Sequence, residues 1–199
     1  MADDILEAKT EQSKQNNALE EIRKGFESNY NKETDIEKRL NELDKEIVNK
    51  KFNPKTDTTM NIYTIMDDVK DWQNKISRIL NDAIDYEAYA KTLEKTFDSF
   101  FKDFYSVWIG SEELRNKGFK NLDEKKSWII NKINTEYKYS EYIRYAENQL
   151  IMAERVFDKA KNIMDMIDEQ QEIMSRKISV MQIQKDIGLL KATTVEDVK

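Results

Sequence analysis

The chain has no cysteine and no histidine. Without cysteine there are neither disulfides nor thiolate chemistry, which fits a reducing compartment without requiring one. Without histidine, the commonest general base, the commonest metal ligand and the usual near-neutral pH switch are all missing. Glycine and proline number only four and one in 199 residues, which leaves little material for the turns of a β-rich fold. No run approaches the ~20 apolar residues of a membrane span, and Met-Ala-Asp-Asp at the start lacks the basic segment and apolar core of a signal peptide. These absences predict a soluble cytoplasmic protein with no membrane partner, no cofactor and no catalytic residues.

Charge and helical periodicity are what the chain has instead. Charged residues make up 36% and hydrophobic ones 39%, enough to fill a helix bundle, and the expected class is all-α. The net charge of −6 is spread thinly: residues 1–57 hold 14 acidic and 11 basic side chains, 58–121 hold 11 and 9, and 122–199 hold 14 and 13. With no basic block, a nucleic-acid surface must come from cations gathered on one face or around an oligomer.

Residues 62–107 dominate the pattern. Ile62, Ile65, Val69, Trp72, Ile76, Ile79, Ala83, Tyr86, Ala90, Leu93, Phe97, Phe100, Phe104 and Val107 follow one another at steps of three and four. One helix can bury such a seam along its whole length. The helix should start at Thr58 or Thr59 and end at Ile109, with Gly110 as the residue after its C-cap. A second long helix is predicted from about Leu122 to about Leu190. Its best stripe is Leu150, Ala153, Phe157, Ala160, Met164, Ile167, Gln171, Met174, Ile178 and Met181, widened by Val156, Ile163, Ile173, Val180 and Ile187. Between the two helices Gly118 ends a short turn, and Asn121 with Glu124 has the spacing of an N-cap and its partner.

The expected architecture is a long antiparallel, coiled-coil-like helical hairpin over 58–190, with shorter N-terminal helices and a linker in 1–57 and a flexible tail in 191–199. Leu19, Ile22 and Phe26 stripe the first helix. The second starts at Thr34, with Ile36, Leu40, Leu43 and Ile47 on one face, and should stop near Lys51, because Pro54 disfavours helix at Asn53. The stripe on the second long helix is too wide for one neighbour. Its C-terminal third should therefore meet the N-terminal helices or another subunit, and a homo-oligomer is expected.

Three clusters could carry function. The carboxylates at Asp67, Asp68, Asp165, Asp168 and Glu169 lack the Glu-x-x-His motif of di-iron bundles, so solvated faces and ion pairs explain them better than a metal site. The aromatic residues from Phe97 to Trp128 read as the packed end of the hairpin. Tyr137, Tyr139, Tyr142 and Tyr145 cannot all face one seam, so at least one should be exposed or at an interface, and Tyr142 and Tyr145 are candidates for stacking on bases. Lys159, Lys161, Arg176 and Lys177 are candidates for phosphate contacts, against the plainer reading of surface charge paired with neighbouring carboxylates.

The order of these features resembles a known family. A long helix ending in Phe104-Tyr105-Ser106, a polar turn, Glu124-Lys125-Lys126, and then Ile173-Met174-Ser175-Arg176-Lys177-Ile178 is similar, over residues 85–190, to the recombination mediator of T-even phages (UvsY family). That resemblance implies a non-enzymatic ring oligomer that acts in phage recombination or replication in the host cytoplasm. It would bind single-stranded DNA together with a recombinase or a single-strand-binding protein. Trp108-Ile109-Gly110 at the bend also resembles the Trp-x-Gly of WXG-type secreted helical hairpin proteins. A third expectation rests on no family: a helical adaptor, virion component or inhibitor that binds a host protein.

Overall fold

The computed structural model describes residues 2–30, 33–53 and 59–196, with side chains over 13–28, 35–53 and 62–188. All six elements among them are helices: α1 (Ala2–Tyr30), α2 (Glu33–Lys50), α3 (Thr59–Ile109), α4 (Glu112–Asn116), α5 (Leu122–Tyr137) and α6 (Tyr139–Glu196). The protein is an all-α helical hairpin. Most of the linker expected over 51–58, Thr58 and the last three residues of the expected tail lie outside the described residues. α6 runs six residues past the end expected at Leu190, and α2 begins one residue before the Thr34 read as its cap.

The helices cluster into two compact units, each built from two separate stretches: 1–35 with 83–156, and 36–82 with 157–199. The first 57 residues, read from the sequence as one N-terminal region, are thus shared between them. The first unit holds α1, the C-terminal part of α3, α4, α5 and the start of α6, and the second holds three helix segments, from α2, α3 and α6. In the first, Asn16 donates to the Glu136 carbonyl and the Tyr142 hydroxyl to Glu20. In the second, Lys159 donates to Asn41 and the Phe52 amide to the Gln170 side chain. Partner numbers rise together, so α1 runs parallel to α5 and the start of α6, and α2 parallel to α6. Against α3, α2 runs antiparallel in the second unit, where Arg39 meets Asp82 at 2.6 Å and Lys50 meets Asp68 at 3.0 Å.

The α3 seam is buried from Ile62 to Phe97 and again at Phe104. Near its end it moves over by one residue: Phe100 is only half-buried and Val107 is 64% exposed. Phe101 and Trp108 take the inward positions, with Phe101 4.9 Å from Tyr139 and Trp108 edge-on to Trp128 at 5.8 Å. A straight helix drifts about 20° per heptad against a 3.5-residue repeat, which over this length is enough to hand the seam to the neighbouring residues.

The link between the long helices is built from local hydrogen bonds. Gly110 has no left-handed backbone; Ser111 turns the chain by donating its amide to the Trp108 carbonyl at 3.1 Å and then caps α4. Gly118, at φ +62°, does take the left-handed conformation that suits glycine. Asn121 caps α5, accepting from the Glu124 amide at 2.8 Å, while the Glu124 carboxylate reaches back to the Lys120 amide at 3.1 Å.

The second arm is not one helix. It breaks at Lys138, whose φ of 50° is left-handed without being glycine. In an unbroken helix Tyr137 and Tyr139 would point about 200° apart. The break lets both pack on α3: Tyr137 stacks on Phe104 at 4.1 Å and 6°, and the Tyr139 hydroxyl donates to the Phe97 carbonyl at 3.1 Å. Asn134 bridges the break, its carbonyl accepting from the Lys138 amide and its side chain from the Ser140 amide. Lys138 is exposed, so Lys138→Gly should relieve the backbone at no packing cost and raise stability by about 1 kcal/mol. A urea titration checks this, and an unchanged or lower midpoint counts against the break.

The α6 register also differs from the predicted stripe. Ala146, Ala153, Val156, Ala160, Ile163, Ile167 and Met174 are buried, whereas Phe157 is half-buried and Met164 is 37% exposed. Apart from Met174, small and β-branched residues occupy the inner line, and the bulkier Phe157 and Met164 sit at its rim.

Candidate interaction surfaces

No tyrosine of the Tyr137–Tyr145 group is exposed, contrary to the expectation from one seam. The Lys138 break turns two of them onto α3, and α1 covers the other two. Tyr142 lies 5.5 Å from Phe97, and burial, together with the Glu20 charge, pushes its hydroxyl pKa up. Tyr145 is edge-on to Phe26 at 6.2 Å, with the Arg23 guanidinium 5.3 Å above its ring. Neither ring is a free platform for stacking a base. Burial also raises Tyr139, helped by the charges of Asp98 and Glu147.

The four candidate cations all belong to the second unit and the two tyrosines to the first. Lys159 donates to Asn41, and Lys161 sits 4.4 Å above the Phe157 ring. Arg176 is paired along its own helix with Glu172. Lys177 is half-buried. At 100° per residue Lys159 and Lys177 share one line of α6, while Lys161 and Arg176 lie on another side. The 15 or more residues between the two pairs span at least about 22 Å, so the four do not form a continuous track.

Sequence reasoning missed a charged groove between α2 and α3, a cleft of about 290 Å³ lined by Arg39, Glu42, Leu43, Glu46, Lys75, Arg78 and Ile79. Lys75, at 2.9 Å, is the main cause of a lowered Glu46 pKa, and Lys50 adds to it. The signal was available as charges three and four residues apart on two amphipathic helices, but pairing those helices needed the fold. The groove mixes both signs, with Arg39, Lys75 and Arg78 beside Glu42 and Glu46. Among the described residues no group of three acidic side chains converges as metal ligands would.

At the hairpin turn, Trp108 and Trp128 pack together and Lys132 lies 5.1 Å above Trp108, held by Glu136 and Glu113. Glu136 is the main cause of a raised Lys132 pKa. Trp108, Ile109 and Gly110 therefore stand at the bend, with the indole occupied by its neighbours.

A further candidate is an apolar row on α6. Along α6 the side chains of 182–188 are all exposed, and none of the described N-terminal residues covers them. Val180, Ile183 and Ile187 are 50%, 57% and 48% exposed. No described helix is long and apolar enough to cross a membrane. No family model, curated protein or solved structure matches the chain.

Proposed function

We propose that this chain is a non-catalytic helical binding protein, an adaptor that meets a protein partner through a helix face. The supporting observation is the uncovered row of Val180, Ile183 and Ile187. Three β-branched side chains in register on one face are costly to leave in water and mark an interaction site rather than scattered surface apolarity. Absence of histidine and cysteine fits a role in which the chain binds and does not react.

A second reading, a phage recombination or replication accessory factor that binds single-stranded DNA, keeps one specific support. Lys159, Lys161 and Lys177 have no carboxylate partner among the described residues. One experiment separates the two readings: fluorescence anisotropy of a labelled oligothymidylate from low to physiological salt. The adaptor reading expects no binding even at low salt, because the net charge is −6 and the cations form no track. Binding that weakens steeply with salt and disappears in Arg176→Glu/Lys177→Glu would sink the adaptor reading and put DNA first.

A further inference from the structure

The C-terminal part of α6 carries two apolar faces. Met174, Ile178 and Met181 form one; Met174 is buried, and Ile178 and Met181 line a cleft with Ile62 and Tyr63 at the start of α3. Val180, Ile183 and Ile187 form the other, on roughly the opposite side of the helix at 100° per residue. Nothing among the described residues covers this second face.

Its spacing is that of a helix-pairing seam. With Val180 at a, the a positions are Ile173, Val180 and Ile187, all β-branched, and Ile183 falls at d, with Leu190 at the next d position in the sequence. Ile173 is half-buried. Arg176, at the d position between Ile173 and Val180, interrupts the apolar row and is turned along its own helix to Glu172. β-branched residues at a suit a parallel pair of helices.

The flanking charges identify the partner. The g positions carry Glu172, Ser179 and Asp186, and the e positions carry Lys177, Gln184 and, in the sequence, Lys191. In a parallel, in-register pair, each g residue of one helix faces the following e residue of the other. Glu172 then meets Lys177, Ser179 meets Gln184, and Asp186 falls opposite the position of Lys191. In an antiparallel pair g faces g and e faces e, and acid would meet acid and base meet base. The seam is therefore complementary to a second copy of itself in one orientation.

We infer that this back face of α6 binds the same face of a second copy of this chain, as a parallel, in-register helix pair running from Ile173 toward Leu190. The inference rests on the adaptor reading in that it names the first partner of the exposed face. It differs from that reading in what would refute it, since DNA binding does not decide it. Pairing would also enclose Arg176 and Lys177, two of the candidate phosphate contacts.

The absence of cysteine makes the test direct. In Val180→Cys and Ile187→Cys, prepared singly and oxidised at high micromolar concentration, both variants should form a disulfide-linked dimer. Asp165→Cys, exposed on α6 outside the seam, should not. An antiparallel pair can place at most one of the two seam positions opposite itself. Wild-type protein should sediment at twice the chain mass at high concentration, and Ile183→Asp/Ile187→Asp at the chain mass with its helical circular dichroism unchanged. The inference is overturned by a wild-type monomer throughout, by cross-linking at only one seam position, or by a double variant that keeps the dimeric mass. Those outcomes, with no oligothymidylate bound, would leave the adaptor reading standing with a different partner.

Discussion

Phe97→Ala should lower stability by about 3–5 kcal/mol. Its ring is fully buried, lies 5.5 Å from Tyr142, and shares its surroundings with Tyr139, whose hydroxyl is bonded to the Phe97 carbonyl. The substitution keeps that carbonyl and removes only the ring, so the loss reports packing. Tyrosines anchored by their hydroxyl groups cannot collapse freely into the space, which places the cost toward the upper part of the range. Urea unfolding of the variant against wild type measures it. A loss below about 1 kcal/mol would mean that the aromatic junction of the first unit is not packed as described.

The next largest effect is a contrast within α6. Ile167→Ala should cost about 2–5 kcal/mol, because Ile167 is fully buried in the second unit. Phe157→Ala, although it removes more atoms, should cost about 1 kcal/mol or less. Phe157 is half-buried, and its ring is partly covered by Lys161 at 4.4 Å, a contact worth about 0.5–1 kcal/mol at such a site. Thermal unfolding of the two variants side by side decides the register. Equal losses would return Phe157 to the seam.

These two positions show what a sequence of this kind makes legible. The α3 seam was readable because every buried position from Ile62 to Phe97 is apolar at three-and-four spacing, with no glycine or proline to interrupt it. In α6 two neighbouring stripes compete. Hydrophobicity favours the one with Phe157 and Met164, whereas three helices meeting closely favour the one with Val156 and Ile163. That choice depends on a third helix whose position the sequence does not state. The break at Lys138 was invisible for a different reason: neither glycine nor proline marks it. It is held by the Asn134 side chain and by the gain of burying Tyr137 and Tyr139 on one partner. Of the candidate surface residues, the cations could be picked by type alone. Whether Tyr142 and Tyr145 were open depended on α1, the most weakly patterned helix.

The pairing of each N-terminal helix with a stretch far along the chain bears on the order in which the protein can be made. The bonds Asn16 to Glu136 and Lys159 to Asn41 join residues 120 and 118 positions apart, so the separation is nearly the same in both units. On a ribosome α1 and α2 emerge before α5 and α6, with Leu19, Phe26, Leu40 and Ile47 ready to be buried and a large share of their covering surface not yet synthesised. At about 5–20 residues per second that wait lasts roughly 6–24 seconds. A helix exposed for so long is safer if it is weakly amphipathic and highly charged. α1, weakly patterned, exposes little apolar surface during that wait, whereas α2 carries Ile36, Leu40, Leu43 and Ile47 on one face throughout it.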